Sequence, residues 1–301
     1  MRWKKLGLIF NPDSIKSYGL TASLMPVANI LDRDNGIIRV YFSPRDNNGR
    51  SQVRFFDYNL QESKVLKVSD QALLLPGKLG TFDDSGITIG SIIKNQNTIY
   101  LYYTGWHRTI TVPMNNSIGV AKLENERRFV RLGDGPILTR TLEEPYSCAS
   151  PFVLIDNNKY KMWYASMDKW EDINGTPKHY YNIKYAESND GVNWTRNNIV
   201  AINYQNSEEY AFGRPFVSKE NGIFKMWYSF RGDFYKIGYA ESQDGVRWQR
   251  KDEVSGIKVS SDGWDSEMIE YPYIFKCMSN RYMLYNGNGY GKSGIGIAIY
   301  E

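Results

Sequence analysis

The chain has 301 residues, of which 42% are apolar, and this is enough to bury one large core or two modest ones. Its formal net charge of +4 comes without a block of Lys or Arg, so nucleic-acid binding is not indicated. No stretch approaches membrane-spanning length, and the apolar run 6–10 is too short for a signal peptide. We therefore expect a cytoplasmic protein whose Cys148 and Cys277 are reduced structural thiols.

The chain repeats itself in strand-like units. KMWY at 161–164 recurs at 225–228, and I-x-Y-A-E-S at 183–188 recurs at 237–242. Each unit opens with an apolar strand, and four of these strands carry a proline near the start: Pro26, Pro151, Pro215 and Pro272. Ile89 holds the equivalent place in the second unit. Turns rich in Asn, Asp and Gly follow, as expected for hairpins.

The second strand of each unit is aromatic and ends in a small residue; these strands are 40–43, 101–104, 162–165, 226–229 and 283–286. A third, alternating strand follows, and in units three and four an Asp-Gly turn leads to a fourth strand at Trp194 and Trp248. The longest stretch without a strand pattern, 166–181, is predicted to be a loop of the third unit.

The fifth unit stops after its third strand, and the N-terminal MRWKK is similar to NWTR at 193–196 and RWQR at 247–250. The sequence therefore predicts an all-β, five-bladed β-propeller with four-stranded blades, in which the N-terminal strand closes the last blade. One domain is expected over 1–301, with blades at approximately 20–75, 83–140, 145–205, 209–258, and 266–301 plus 1–10. A two-domain β-sandwich is the alternative, but it leaves the matching termini unexplained.

In a propeller, the loops that lead into the first strands and those that join strands two and three share one face, where a ligand is expected. Carboxylates at four blade entrances make the candidate catalytic residues Asp83, Asp84, Glu144, Glu209, Glu267 and Glu270. If they converge, such groups raise one another's pKa and separate into acid and base roles.

Further polar and aromatic residues of the same loops are candidates for substrate binding. They are Arg45, Asp46, Trp106, Arg108, Asp168, Arg214, Arg231, Asp265, Tyr271, Asn286 and Asn288. The arginines suit an anionic substrate or the positioning of carboxylates, and the aromatic rings suit stacking on a sugar. His107 and His179 lack metal-ligand spacing, so we expect no metal and no cofactor, with a calcium ion in the channel left open.

The segments 188–194 (SNDGVNW) and 242–248 (SQDGVRW) are similar to the Asp-box turn of sialidases, one residue short, and are interpreted as structural turns. With inner strands that open at x-Pro and second strands that end in an aromatic pair, the whole chain resembles the five-bladed glycosidase superfamily. That superfamily includes glycoside hydrolase families 43, 32, 68, 117 and 130. Within it, the chain resembles a bacterial glycosidase-like group associated with surface-polysaccharide gene clusters.

The family-43 pattern implies an Asp directly before the blade-one proline as base and a Glu two residues before a later proline as acid. Here Glu270 stands two residues before Pro272, but Met25 stands before Pro26, so Asp83 or Asp84 would have to act as base. Glu267 is the other candidate acid, while Glu144 and Glu209 would tune the site or bind substrate.

We therefore expect a glycosidase-like enzyme that cleaves a glycosidic or nucleotide-sugar bond by carboxylate acid/base catalysis at the channel mouth. Its partner would be a sugar, an oligosaccharide or a nucleotide sugar, with no nucleic acid and no membrane, and the oligomeric state stays open. Two alternatives also stay open: a non-catalytic propeller that binds a glycan or a protein partner, and a sugar phosphorylase or transferase whose arginines bind phosphate.

Overall fold

A computed structural model describes residues 1–301 as an almost purely β structure of twenty strands and two short 3-10 helices, Pro12–Tyr18 and Asp252–Val254. Antiparallel pairing sorts the strands into five groups of four. Group 1 contains β2 (Leu20–Asp32), β3 (Ile37–Asp46), β4 (Arg54–Asn59) and β5 (Lys64–Val68). Group 2 contains β6 (Gly86–Asn95), β7 (Thr98–Arg108), β8 (Met114–Glu124) and β9 (Arg128–Arg131).

Group 3 contains β10 (Cys148–Asp156), β11 (Lys159–Ile173), β12 (Thr176–Ser188) and β13 (Thr195–Ile202). Group 4 contains β14 (Ala211–Glu220), β15 (Ile223–Arg231), β16 (Tyr235–Ser242) and β17 (Gln249–Arg250). Group 5 contains β18 (Glu270–Cys277), β19 (Asn280–Asn286), β20 (Ile295–Tyr300) and the N-terminal strand β1 (Trp3–Phe10). A single parallel bridge between Tyr181 and Ala211 joins groups 3 and 4.

The first strands of the five groups form a closed ring. Strand β2 contacts β6 and β18, and β6, β10, β14 and β18 contact one another in turn. The aromatic second strands lie between neighbouring groups and are buried on both faces, so that Trp163 and Trp227 are fully inaccessible to solvent. Stacked sheets of this kind favour the β-branched and aromatic residues that the repeat supplies.

The N-terminal strand pairs with the last strand of the chain, as the sequence predicts. Trp3 lies opposite Tyr300, and the antiparallel pairing continues to Phe10 opposite Ile295. The Trp3 ring also contacts Trp227 of group 4 edge-on, with 6.2 Å between ring centroids. The edge of β20 is thereby covered.

The Asp-Gly turns tie each group to the one before it. The carbonyl of Gly191 in group 3 accepts a hydrogen bond from the Tyr102 hydroxyl of group 2 at 3.0 Å. In the same way, Gly245 of group 4 accepts one from the Trp163 indole of group 3 at 2.8 Å. Within the first of these turns, Asp190 accepts two backbone N–H groups at 2.8 Å. These contacts agree with the interpretation of the turns as structural.

Four of the five first strands are bulged at the residue that precedes the proline. Met25, Ser150, Arg214 and Tyr271 have φ between 50° and 58°, the left-handed region that non-glycine residues rarely adopt. The pairing register shifts at the same points. In group 2 the register shift lies between Ile89 and Ser91.

In four of the five groups, the backbone N–H at this point donates a hydrogen bond to a side chain of the preceding group's second strand. The N–H of Met25 donates to Asn286 Oδ1 and that of Ile89 to Ser43 Oγ, both at 2.9 Å. The N–H groups of Ser150 and Tyr271 donate to Thr104 Oγ1 and Ser229 Oγ, both at 2.7 Å. Ile89 is therefore the counterpart of the residue before the proline, and its predicted alignment with the prolines themselves was wrong by one residue.

The predicted loop at 166–181 is instead a long β-hairpin. Strand β11 continues to Ile173 and β12 begins at Thr176, with Trp170 paired to His179. The two turn residues, Asn174 and Gly175, have φ of 53° and 81°, which suits an Asn-Gly hairpin turn. Sequence inspection missed this turn because the strands on either side are charged and aromatic rather than apolar.

Cys148 and Cys277 are buried free thiols, as predicted. Neither short helix is long and apolar enough to cross a membrane.

Replacement of Asn286 should destabilise the closure between groups 5 and 1. Its amide is fully buried, accepts from the Met25 N–H, and donates to the carbonyls of Ser23 and Gly294 at 2.7 Å. We expect Asn286→Ala to lower the free energy of unfolding by about 3 kcal/mol, because three buried partners lose their hydrogen bond. Ser43→Ala, which removes one such bond, should cost about 1 kcal/mol. Urea denaturation measures both, and equal losses would contradict this view of the closure.

Candidate functional site

A cavity of about 200 Å³ lies at the ring and is lined by residues of all five groups. Its first layer comes from the residue just before each bulge, which pairs with a residue of the second strand in the same group. Leu24, Thr88, Ala149 and Gly213 hold this place in groups 1 to 4 and line the cavity. Glu270, paired with Asn286, is their counterpart in group 5.

The second layer consists of the bulge residues. Met25, Ser150, Arg214 and Tyr271 all line the cavity. Their left-handed backbone costs on the order of 1–3 kcal/mol each and is retained where the surrounding structure enforces it. The bulge thus brings two successive residues of one strand, such as Ala149 and Ser150, to the same site.

Aromatic and polar side chains from the strand ends form the wall. Trp106 donates its indole N–H to Ser51 at 2.9 Å. The long hairpin of group 3 supplies His179 and Tyr181, whose hydroxyl accepts from the Asn116 amide at 3.3 Å. Burial, with Arg231 and Lys178 nearby, lowers the pKa of His179 to about 4, so this imidazole is neutral at physiological pH.

Arg214 reaches across the ring. It belongs to group 4, yet its guanidinium donates to the carbonyls of Pro26 in group 1, at 3.0 Å, and of Gly90 in group 2. The side chain is 1% exposed, its Nε has no partner, and burial lowers its pKa to about 10. A buried guanidinium whose protein partners are only carbonyls lacks a counter-charge.

Arg45 is the second arginine of the cavity. Its side chain is half-buried, donates to the Gly49 carbonyl at 3.0 Å, and lies 5.8 Å from the Trp106 ring centroid. Burial lowers its pKa.

Glu270 is the one predicted catalytic carboxyl that belongs to the ring around the cavity. It is fully buried, and neither carboxyl oxygen has a hydrogen-bond partner. Burial raises its pKa well above the ordinary range, and only the neighbouring Tyr271 and the charge of Arg231 oppose that rise. A shift in this direction favours the protonated carboxyl, which is the form from which a general acid donates.

The carboxylates at the other blade entrances remain in their own groups, contrary to the predicted convergence. In groups 2, 3 and 5, one carboxylate binds the tyrosine of the second strand and a basic residue of the outer strand, an arrangement we call a latch. In group 2, Asp83 accepts from Tyr103 at 3.1 Å and from Arg131 at 2.8 Å. In group 5, Asp265 accepts from Tyr285 at 3.0 Å.

Lys5 of the N-terminal strand completes the group 5 latch, at 2.7 Å from Asp265. In group 3, Glu144 accepts from Tyr164 at 2.9 Å and lies 3.6 Å from Arg196. Each of these interior carboxylates thus has a counter-charge within its own sheet and none lines the cavity.

Group 4 uses a variant of the latch. Asp252 accepts from the Tyr228 hydroxyl at 2.5 Å, and Arg250 bridges Asp252 and Glu209. Glu209 and the exposed Glu267 line a second, larger cavity of about 680 Å³ between groups 4 and 5. Asp84 accepts from the Gly80 N–H and the Ser85 hydroxyl within its own loop.

Four of the predicted binding residues line the central cavity: Arg45, Trp106, Arg214 and Tyr271. The structure does not bring the others to it. Asp46 accepts backbone N–H groups of its own turn, Arg108 donates to Asn48, and Asp168 is exposed. Arg231 donates to Tyr290 beside the cavity. Asn286 binds backbone within the ring, and Asn288 accepts from Glu267 and Met268.

A constant spacing in the sequence could have revealed the latches. The carboxylate and its tyrosine are 20 residues apart in groups 2, 3 and 5. His179 and Tyr181 were missed as cavity residues because their segment was taken as a loop; the alternation of a strand would have placed both on one face. No cluster of three or more His, Cys, Asp or Glu side chains is arranged to hold a metal ion.

Comparison with known proteins gives a full-length relative. The uncharacterized protein Rv1502 of Mycobacterium tuberculosis H37Rv is 40% identical over 302 residues, which cover 100% of each chain. This chain belongs to the Rv1502 family. MT1551 of M. tuberculosis CDC 1551 is likewise 40% identical over 100% of both chains. No protein-family model matches the chain.

Solved glycoside hydrolases share the fold of this Rv1502 family member. One glycoside hydrolase superposes with a TM-score of 0.75 at 15% identity, over 99% of this chain and 91% of its own. A thermostable family-43 glycoside hydrolase gives a TM-score of 0.66 at 16% identity, over 93% of this chain and 89% of its own. A third structure comes from the GH130 family of mannoside phosphorylases, which contains glycoside hydrolases that target β-1,2 mannosidic linkages. It gives a TM-score of 0.69 at 17% identity, over 93% of this chain and 84% of its own. The chain therefore has the β-propeller fold of these glycosidases.

The latch makes a prediction for Glu144 in this Rv1502 family member. Glu144→Gln leaves Lys184 and Arg196 with a neutral partner inside the sheet. Breaking a buried ion pair on one side costs about 3 kcal/mol, so the melting temperature should fall clearly. Glu143→Gln, one residue earlier and exposed, should leave it unchanged. A Glu144→Gln variant as stable as the native protein would contradict the latch.

Glu270 makes a prediction about pH. In the unfolded chain its carboxyl ionises near the ordinary pKa of 4.5, whereas the folded protein keeps the proton well above that value. Stability should therefore decline as pH rises above this point, and Glu270→Gln, which mimics the protonated acid, should abolish that part of the decline. Melting temperatures of the two proteins should agree near about pH 4 and diverge toward neutral pH, with the variant higher. The exposed Glu267→Gln should track the native protein at every pH.

Proposed function

We propose that this protein is a five-bladed propeller enzyme that cleaves a glycosidic bond, with Glu270 as the general acid. The five strand groups are its blades, and the cavity at the ring holds the sugar. The supporting observation is the state of Glu270, a fully buried carboxyl without a partner whose pKa is raised well above its ordinary range. General acids of glycosidases need this property to protonate the leaving oxygen near neutral pH.

The wall of the cavity suits a carbohydrate. Trp106, Tyr181, Tyr235 and Tyr271 offer ring faces, and Asn116 with nearby hydroxyls offers hydrogen-bond partners to sugar hydroxyls. The acid is closed off in this structure, so a bound substrate has to displace Tyr271 or Tyr235 to reach it. The rings of Tyr235 and Tyr271 are tilted by 51° with 6.2 Å between centroids, and they can separate without breaking a hydrogen bond to each other.

A non-catalytic glycan-binding propeller is the second candidate. Two observations favour it: the complete burial of Glu270, and the absence of any Asp or Glu among the residues that line the cavity. Hydrolysis by the two-carboxylate mechanism needs both an acid and a base or nucleophile.

Turnover and binding separate the two candidates. A panel of free sugars, oligosaccharides, aryl glycosides and nucleotide sugars is first screened by thermal shift, because a ligand of the folded state raises the melting temperature. Any stabilising compound is then assayed for bond cleavage. We expect Glu270→Gln to reduce turnover by about 100-fold or more while the sugar still binds. Glu267→Gln is the matched control and should retain turnover.

Equal turnover by Glu270→Gln and the native protein would contradict the proposed acid. Binding of a sugar with no cleavage of any tested bond would favour the second candidate.

A further inference from the structure

The central cavity contains two guanidinium groups and no carboxylate. Arg45 and Arg214 both line it, and the hydrogen bonds that they make within the protein go to backbone carbonyls of Gly49, Pro26 and Gly90. No Asp or Glu is among the lining residues. Positive charge of this kind, taken partly out of water, is costly until an anion arrives.

Other basic groups in the interior show the contrast. Arg131, Arg250 and Lys5 each lie within 2.8 Å of a carboxylate oxygen in their latches. The latches therefore neutralise the cations that they bury, whereas the two cavity arginines have no carboxylate partner. The Nε of Arg214 is buried and unpaired in addition.

The surroundings of the arginines suit an oxyanion. Thr88, Thr104 and Ser150 bring hydroxyls to the same cavity. The Thr104 hydroxyl accepts from the Ser150 N–H at 2.7 Å, which leaves its own proton free to donate. Guanidinium forks together with hydroxyl donors are the groups that bind phosphate in proteins.

We propose that Arg45 and Arg214 form a subsite for a phosphate group in the central cavity. This inference rests on the proposed function and names its second reactant. The phosphate is either free inorganic phosphate or a group carried by the sugar. Free phosphate accounts for the missing second carboxylate, because it brings its own nucleophilic oxygen.

The reaction with free phosphate balances as follows. An oxygen of HPO₄²⁻ forms a bond to the anomeric carbon while the bond from that carbon to the leaving oxygen breaks. The leaving oxygen takes the proton of Glu270 and departs as an alcohol. The sugar 1-phosphate, still protonated, returns a proton to the Glu270 carboxylate, and the acid is restored.

The test uses inorganic phosphate as the probe on the whole protein. Binding is measured by calorimetry and by thermal shift at constant ionic strength, with chloride as the balancing anion. We expect saturable binding by the native protein and a loss of about tenfold or more in affinity for Arg45→Gln, since the charge-assisted hydrogen bonds are removed. Arg247→Gln is the control, because that arginine is 91% exposed on a distant turn, and it should bind phosphate like the native protein.

Arg45→Lys distinguishes the loss of the positive charge from the loss of the guanidinium geometry. It also provides a second variant in case Arg45→Gln does not fold. It keeps the charge without the planar fork and should bind phosphate at an intermediate affinity. Phosphate that stabilises the protein no more than chloride does, or that binds the native protein and Arg45→Gln equally, would overturn the subsite.

Product analysis distinguishes the two sources of phosphate. Cleavage that requires free phosphate and releases a sugar 1-phosphate assigns the subsite to the nucleophile. Cleavage by water of phosphorylated sugars alone assigns it to a substituent of the substrate. The readout is also independent of the proposed acid, since Glu270→Gln should bind phosphate like the native protein. Phosphate binding without turnover of any sugar would remove the proposed function and leave the subsite standing.

Discussion

The hydrogen bond between each bulged first strand and the second strand of the preceding group holds the ring together. Ser43, Thr104, Ser229 and Asn286 each accept the N–H at the bulge of the next group. A bulge needs such support because its left-handed residue is strained. The same contact fixes which side chains face the cavity. Ring closure and site geometry therefore share one set of bonds.

One junction departs from this rule. Ala165 holds the equivalent place in the second strand of group 3 and has no hydroxyl to offer Arg214, the bulge residue of group 4. The guanidinium of Arg214 instead crosses the ring to groups 1 and 2. The place where the repeated bond is lost is thus the place where a charged residue enters the cavity, and sites commonly depart from a structural repeat in this way.

The repeat, the strand order and the pairing of the two termini could be predicted because hydrophobic patterning and turn residues determine them locally. Which carboxylates would face the cavity could not be predicted in this way. Asp83 precedes the first strand of group 2 and Glu270 begins that of group 5, yet Asp83 binds Tyr103 and Arg131 in its own sheet while Glu270 is unpaired at the ring. A buried carboxylate binds the nearest group of opposite charge. In the latches this group is a basic residue of the outer strand, which is distant in sequence. The constant spacing of 20 residues between the latch carboxylate and its tyrosine is the sign of this arrangement in the sequence.

The pairing of Trp3 with Tyr300 also sets the order of events when the protein folds. Strand β1 is synthesised long before β20, so group 5 and its contact with group 1 form only once β20 has been synthesised. Closing a loop of nearly the whole chain is entropically costly, and contacts this distant in sequence slow folding. Until β1 and β20 pair, the facing edges of both strands are open. The chain is most prone to strand-to-strand aggregation before this pairing forms.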